Sequence, residues 1–172
     1  MARHRGPLLV DTNVILECWR VGAWGALSGG YPVETVEDCV TETQTGFQNR
    51  RAEEAVDATT LRSALAHAPH PVTALQLAAL DLAAAGIQLD PGERSLWAHA
   101  LERKDAWVLC GPDRASLRIG VRLGLRDRLV ALETLLADAG HRPRTALKQN
   151  YTAAWHARTV GEYVVMERKD HP

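Results

Sequence analysis

The chain has 172 residues, 46% hydrophobic and 24% charged, enough for one domain with a sizeable core and too few for two comfortable ones. A net charge of −1 lends no support to nucleic-acid capture by bulk positive charge, though it leaves room for a local basic rim. Cys18, Cys39 and Cys110 are too few and too widely spaced for a disulfide framework or a zinc-ligand pattern, and they suit a reducing, cytoplasmic setting. No apolar run approaches the roughly 18 residues of a membrane span, and the basic start meets Asp11 too soon for a signal peptide.

Leu8-Leu9-Val10 is a short apolar run ending at Asp11, the pattern of a buried strand in a parallel sheet. Residues 13–19 read as helix, and the glycines and Pro32 of residues 22–32 as loop. A second short strand is expected over residues 33–36, a helix from Glu37 past Gln44, and an Ala-rich helix over 52–67 that ends before Pro69. The next helix, residues 72–85, has Gly86 as terminator, and its Leu75, Ala78, Ala79, Leu82 and Ala85 share one face. Residues 87–89 are a brief strand or an extended link. Asp90-Pro91-Gly92-Glu93 is a strong helix start, and Ala106–Cys110 is the best strand after the first. Pro112 and Asp113 open a helix that Gly124 ends. A last strand over 129–132 and a helix over 133–139, closed by Gly140, complete the pattern. Strands alternating with helices predict an α/β domain over residues 1–140 with a mainly parallel sheet. Residues 141–172 are a less regular C-terminal extension, packed on the domain or docking a partner.

In an open parallel sheet, ligands bind beyond the carboxyl ends of the strands. Asp11 follows the first strand directly, and Asp113 follows the later strand after Gly111-Pro112. Glu93 opens the preceding helix, and Glu42 lies on the helix after the second strand, with Glu34, Glu37 and Asp38 as nearby competitors for its place. Four gathered carboxylates resist joint ionisation and call for a counter-charge, which Mg²⁺ or Mn²⁺ supplies through oxygen ligands. Each acid also fits a plain role: Asp11 and Asp113 as helix caps, Glu93 in a capping box with Asp90, Glu42 as a solvated helix residue.

The stretches Leu8-Leu9-Val10-Asp11-Thr12-Asn13, Val40-Thr41-Glu42-Thr43, Leu89-Asp90-Pro91-Gly92-Glu93, Val108-Leu109-Cys110-Gly111-Pro112-Asp113-Arg114 and Leu123-Gly124-Leu125 together resemble the PIN-domain family over roughly residues 7–140. The resemblance implies a three-layer α/β/α sandwich and a metal-dependent endonuclease, usually acting on RNA, with Mg²⁺ or Mn²⁺ as cofactor. It implies Asp11, Glu42, Glu93 and Asp113 as catalytic metal ligands, with Thr12 and Asn13 orienting Asp11. It also implies self-association as a homodimer and, as in toxin relatives, a small antitoxin protein as partner. Where members often carry Ser or Thr and a second acid before the residue matching Asp113, this chain has Gly111 and Pro112.

Arg94 and Arg114 lie just beyond the acids and are candidates for substrate phosphate, as more weakly are Arg118 and Asn49-Arg50-Arg51; ordinary ion pairs on a solvated face are the alternative. Trp97 and Trp107 fit core positions, and core packing is also the better reading for Trp19, Trp24 and Trp155. A haloacid-dehalogenase-like phosphatase needs an acid two residues after the first Asp, where Asn13 stands. A dinucleotide fold needs a Gly-rich first turn, which Asp11-Thr12-Asn13-Val14 lacks. The remaining rival is a PIN-like RNA- or protein-binding module with a weak or inactive metal site.

Overall fold

The computed structural model describes residues 4–46 and 50–170, with side chains through 168. Three short parallel strands, β1 (Leu8–Val10), β2 (Val33–Glu34) and β3 (Val108–Cys110), form a sheet of order β2-β1-β3. Leu8 pairs with Val33 and Val108, and Val10 with Cys110. β1 is central, so both its faces are buried, which is why it reads as an unbroken apolar run.

Side chains alternate across the sheet and feed two cores. Leu8, Val10, Val33 and Cys110 pack with α1 (Thr12–Arg20), α2 (Trp24–Gly30), α4 (Ala58–Ala64) and α8 (Leu132–Asp138). Leu9 and Leu109 pack on the other side with α5 (Ala74–Ala84), α6 (Pro91–Glu102), α7 (Arg114–Arg122) and α9 (Ala153–Asp170). Between them α3 (Glu37–Thr43) sends Val40 to the first core and Cys39 to the second. Helices on both faces of a parallel sheet make the chain α/β and are compatible with a three-layer sandwich. None of the described helices is long and apolar enough to cross a membrane.

Local chemistry sets the element ends. Asp11 and Asp113 cap α1 and α7 through side-chain bonds to the Val14 and Ala115 amides. Thr73 and Gln76 form a reciprocal capping box on α5, and Pro91 occupies the first turn of α6. Gly86 and Gly124 take φ of +81° and +70° just past α5 and α7, a backbone region open mainly to glycine.

Several elements differ from the expectation. Residues 24–30 are helix, not loop, because Trp24 and Leu27 anchor one side of α2 in the core despite three glycines. The Ala-rich segment is split: a 3₁₀ turn spans Ala52–Glu54, and α4 starts only after Asp57, whose carboxylate accepts the Thr60 N–H as its cap. The expected apolar face of α5 points outward, with Leu75 78% and Leu82 83% exposed, while Leu80 and Ala84 are buried. That helix is apolar almost all round, so spacing alone does not choose a face. Residues 87–89 form no strand, and 129–132 contribute one parallel bridge, Leu109 to Leu129, before α8 begins.

The C-terminal extension contains an 18-residue helix, α9, lying along α7. Tyr163 enters the second core, and Tyr151 the first. The connection before it is tied down by the Lys148 amide, which donates to the buried carboxylate of Glu17 at 2.8 Å.

Candidate metal centre

The register that pairs Val10 with Cys110 puts Asp11 beside Gly111 at the carboxyl edge of the sheet, and the Asp11 amide donates to the Cys110 carbonyl. One Asp11 oxygen, Oδ1, accepts the Val14 N–H at 2.8 Å. The other, Oδ2, is buried without a hydrogen-bond partner. A Cβ placed on Gly111 would stand 3.4 Å from that oxygen and 3.4 Å from Ser116 Oγ, so glycine leaves the approach to Oδ2 clear. Burial first, and then the charges of Asp113 and Glu42, push the Asp11 carboxyl up to about 7, against the helix amide that holds it down.

Glu93 sits in the first turn of α6 and is only 5% exposed, and its Oε1 also lacks a partner. Burial, followed by the charges of Asp113, Asp11 and Asp90, raises its carboxyl to about 9. Asp113 is half-buried, with Oδ1 held by the Ala115 amide at 2.7 Å.

Glu42 is fixed from two sides. Thr12 Oγ1 donates to Oε2 at 2.6 Å, and the Gly92 amide donates to Oε1 at 2.9 Å. Its competitors are engaged elsewhere: Glu37 with Arg62, Asp38 with the Ser95 hydroxyl, and Glu34 with Arg103 and His70. The Thr12 hydroxyl thus orients Glu42, where Asp11 was the expected partner. Asp11 is held by backbone amides of α1, while the Asn13 side chain is exposed. The Asn13 carbonyl accepts the Tyr151 hydroxyl at 3.1 Å.

Sequence reasoning missed three supports. The first is Gly92: a Cβ there would lie 2.5 Å from Glu42 Oε2, so only glycine lets the carboxylate reach this amide. The second is Ser116, whose Oγ accepts Trp97 Nε1–H at 2.8 Å and joins α6 to α7 beneath Gly111. The third is Tyr151, whose phenol is raised by burial and then by the Asp11 charge, placing the C-terminal segment beside the acids. The glycine after Pro91 was a visible signal; the other two contacts are long-range and leave no local trace.

Gly92→Ala is expected to spare the fold, since alanine gains about 1 kcal/mol of helix propensity over glycine. It would displace the Glu42 carboxylate and weaken Mn²⁺ binding about tenfold, the scale of losing an orienting contact. Unchanged Mn²⁺ affinity in a titration would take Glu42 out of the site.

The arginines expected at phosphate are already paired. Arg94 holds Asp81 through two bonds of 2.5 and 2.8 Å, and Arg114 holds Glu162 at 2.8 Å beneath the Tyr163 ring. Arg118 pairs with Glu167. Arg50 donates to the Glu42 and Thr43 carbonyls at the end of α3, and Asn49 lies outside the described residues. A cavity of about 920 Å³ opens between α8 and the 140–153 connection, but none of the four acids lines it.

Two buried carboxylate oxygens without a hydrogen-bond partner, on Asp11 and Glu93, lie where the charge of Asp113 reaches both, the oxygen chemistry that a hard divalent cation takes, although among the described residues no three of the four acids bring ligand atoms within 4.8 Å of one another. Without a cation the cluster relieves repulsion by holding protons, as the raised Asp11 and Glu93 carboxyls do. Compared with protein-family models, with curated proteins and with solved structures, the chain matches none.

Proposed function

We propose that the chain is a Mg²⁺- or Mn²⁺-dependent nuclease of the PIN type, acting on RNA, with Asp11, Glu42, Glu93 and Asp113 as its acidic centre. The observation that carries the reading is the pair of buried, partnerless oxygens on Asp11 and Glu93, both on residues whose carboxyls are raised by burial and by their acidic neighbours. Such an arrangement is costly as a structural feature alone and makes sense as a cation seat. A bound divalent ion would supply an activated water and charge stabilisation for a phosphodiester in its transition state.

The chain's own groups do the positioning. Asp11 and Asp113 stand at strand ends with one oxygen spent on a helix amide, which fixes the direction of the other. Thr12 and the Gly92 amide hold Glu42 toward the same edge. RNA as substrate rests on the resemblance to PIN domains. Because Arg94 and Arg114 are paired with Asp81 and Glu162, substrate phosphate would have to compete with those carboxylates.

The test is incubation with a mixed RNA pool in Mn²⁺, Mg²⁺ or chelator. Cleavage in the presence of metal, lost with chelator, is the expected result. Mn²⁺ binding without cleavage of any RNA or DNA would favour the binding-module reading.

A further inference from the structure

A second polar cluster lies on the β2 edge of the sheet, away from the four acids. Glu34, at the end of β2, points toward α6, and its side chain is only 3% exposed. His70 Nε2–H donates to Glu34 Oε2 at 2.7 Å, and Arg103 Nη1 and Nη2 donate to the two carboxylate oxygens at 2.5 and 3.3 Å. His99, one turn before Arg103, stacks on His70 with ring centroids 4.2 Å apart. Arg103 Nη1 lies 3.0 Å from His99 Nε2; a guanidinium only donates, so this nitrogen carries the lone pair. One donor atom each from Glu34, His70 and His99 fall within 4.8 Å of one another.

The structure points to a second metal site: we propose that Glu34, His70 and His99 take a Zn²⁺-class transition-metal ion in exchange for the Arg103 guanidinium. Two imidazoles and one carboxylate suit Zn²⁺ or Co²⁺ better than Mg²⁺ or Mn²⁺, so this site and the acidic centre select different ions. Arg103 already occupies the cation position against Glu34, and it has somewhere to go. Its Nε and Nη2 make bonds of 2.9 and 2.6 Å to the Asp105 carboxylate, which stay available once Glu34 is released. His99 Nε2 already turns its lone pair to the Arg103 guanidinium, so the same lone pair faces the incoming ion. His70, whose Nε2 now bears the proton it gives to Glu34, would turn that nitrogen's lone pair to the ion with its ring proton on Nδ1. Three protein ligands leave a fourth position for water or for His67, whose exposed Nε2 lies 3.9 Å from Glu34 Oε1. The ion would tie the sheet edge, the connection before α5, and α6 together.

The test is Co²⁺ titration of the untagged full chain carrying Asp11→Asn, which weakens the acidic centre and leaves this cluster intact. We expect visible d–d absorption saturating at one ion per chain and displaced by Zn²⁺. No thiolate charge-transfer band should accompany it, because all three cysteines are buried elsewhere. His70→Gln and His99→Gln should each weaken binding at least about tenfold, the scale of losing one ligand contact. Arg103→Gln, checked for folding by circular dichroism, should strengthen it by removing the competing cation. Absence of saturable Co²⁺ or Zn²⁺ binding would overturn the proposal and leave Arg103 as the resident cation. So would binding indifferent to both histidine variants.

Discussion

Glu93→Gln is expected to stabilise the metal-free protein while weakening its metal binding and any cleavage. The Glu93 carboxyl titrates near 9 in the folded chain, against 4.5 as its ordinary value, because it is buried among Asp113, Asp11 and Asp90. Between pH 4.5 and 9 the native state therefore keeps a proton that the unfolded chain releases. Stability falls as pH rises through this window, by up to about 1.4 kcal/mol per pH unit, and the full penalty is present only above pH 9. Glutamine keeps the shape and removes the titration, so the variant should gain about 3 kcal/mol at pH 7 and almost nothing at pH 4.5. For a chain of this size each kcal/mol moves the melting temperature by about 2–4 °C. Melting of the chelator-treated proteins from pH 5 to pH 9 checks this. A gap that does not widen with pH, or a variant less stable at pH 8, would show that the Glu93 carboxyl carries no such burden. Added Mn²⁺ should reverse the order, since it stabilises only the protein that binds it.

If the proposed nuclease reading holds, Asp11→Asn abolishes cleavage with little change in secondary structure. Asparagine caps helices as well as aspartate does, so the bond to the Val14 amide and the start of α1 survive. What is lost is the charge on an oxygen that has no partner inside the protein. Removing a charged ligand from a metal-assisted reaction forfeits several kcal/mol of transition-state stabilisation. At about 1.4 kcal/mol per tenfold, the expected loss is about 100-fold or more. Circular dichroism matching the wild type, beside cleavage within about threefold of it, would contradict the role given to Asp11.

The parts of this architecture legible in the sequence share one property: their signal is local. Leu8-Leu9-Val10 and Val108-Leu109-Cys110 are strands buried on both faces and read as short apolar runs bounded by acids or turns. Asp90-Pro91-Gly92-Glu93 announces α6, and the positions of Asp11 and Asp113 after their strands follow from parallel topology. What stayed hidden depends on tertiary contact. The glycines of α2 argue for loop, and only the burial of Trp24 and Leu27 makes it helix. α5 is apolar almost all round, so spacing could not show that the face carrying Leu75 and Leu82 is the exposed one. Glu42 is distinguished from Glu37 and Asp38 by bonds to Thr12 and Gly92, 30 and 50 residues away in the chain. Arg114 looks available for phosphate until α9 brings Glu162 against it across 48 residues. The Glu34, His70, His99 and Arg103 cluster joins residues up to 69 apart and left no pattern to read.

The most direct measurement is Mn²⁺ binding to chelator-stripped protein, followed by the electron paramagnetic resonance of free Mn²⁺, with wild type and Asp11→Asn side by side. It needs no knowledge of the substrate, and the histidine-rich Glu34 cluster competes poorly for so hard an ion. Saturable binding to the wild type, weakened at least about tenfold in the variant, is the predicted result. Wild-type protein that leaves the free Mn²⁺ signal untouched, or a variant that binds as tightly as the wild type, would contradict a metal centre built on Asp11.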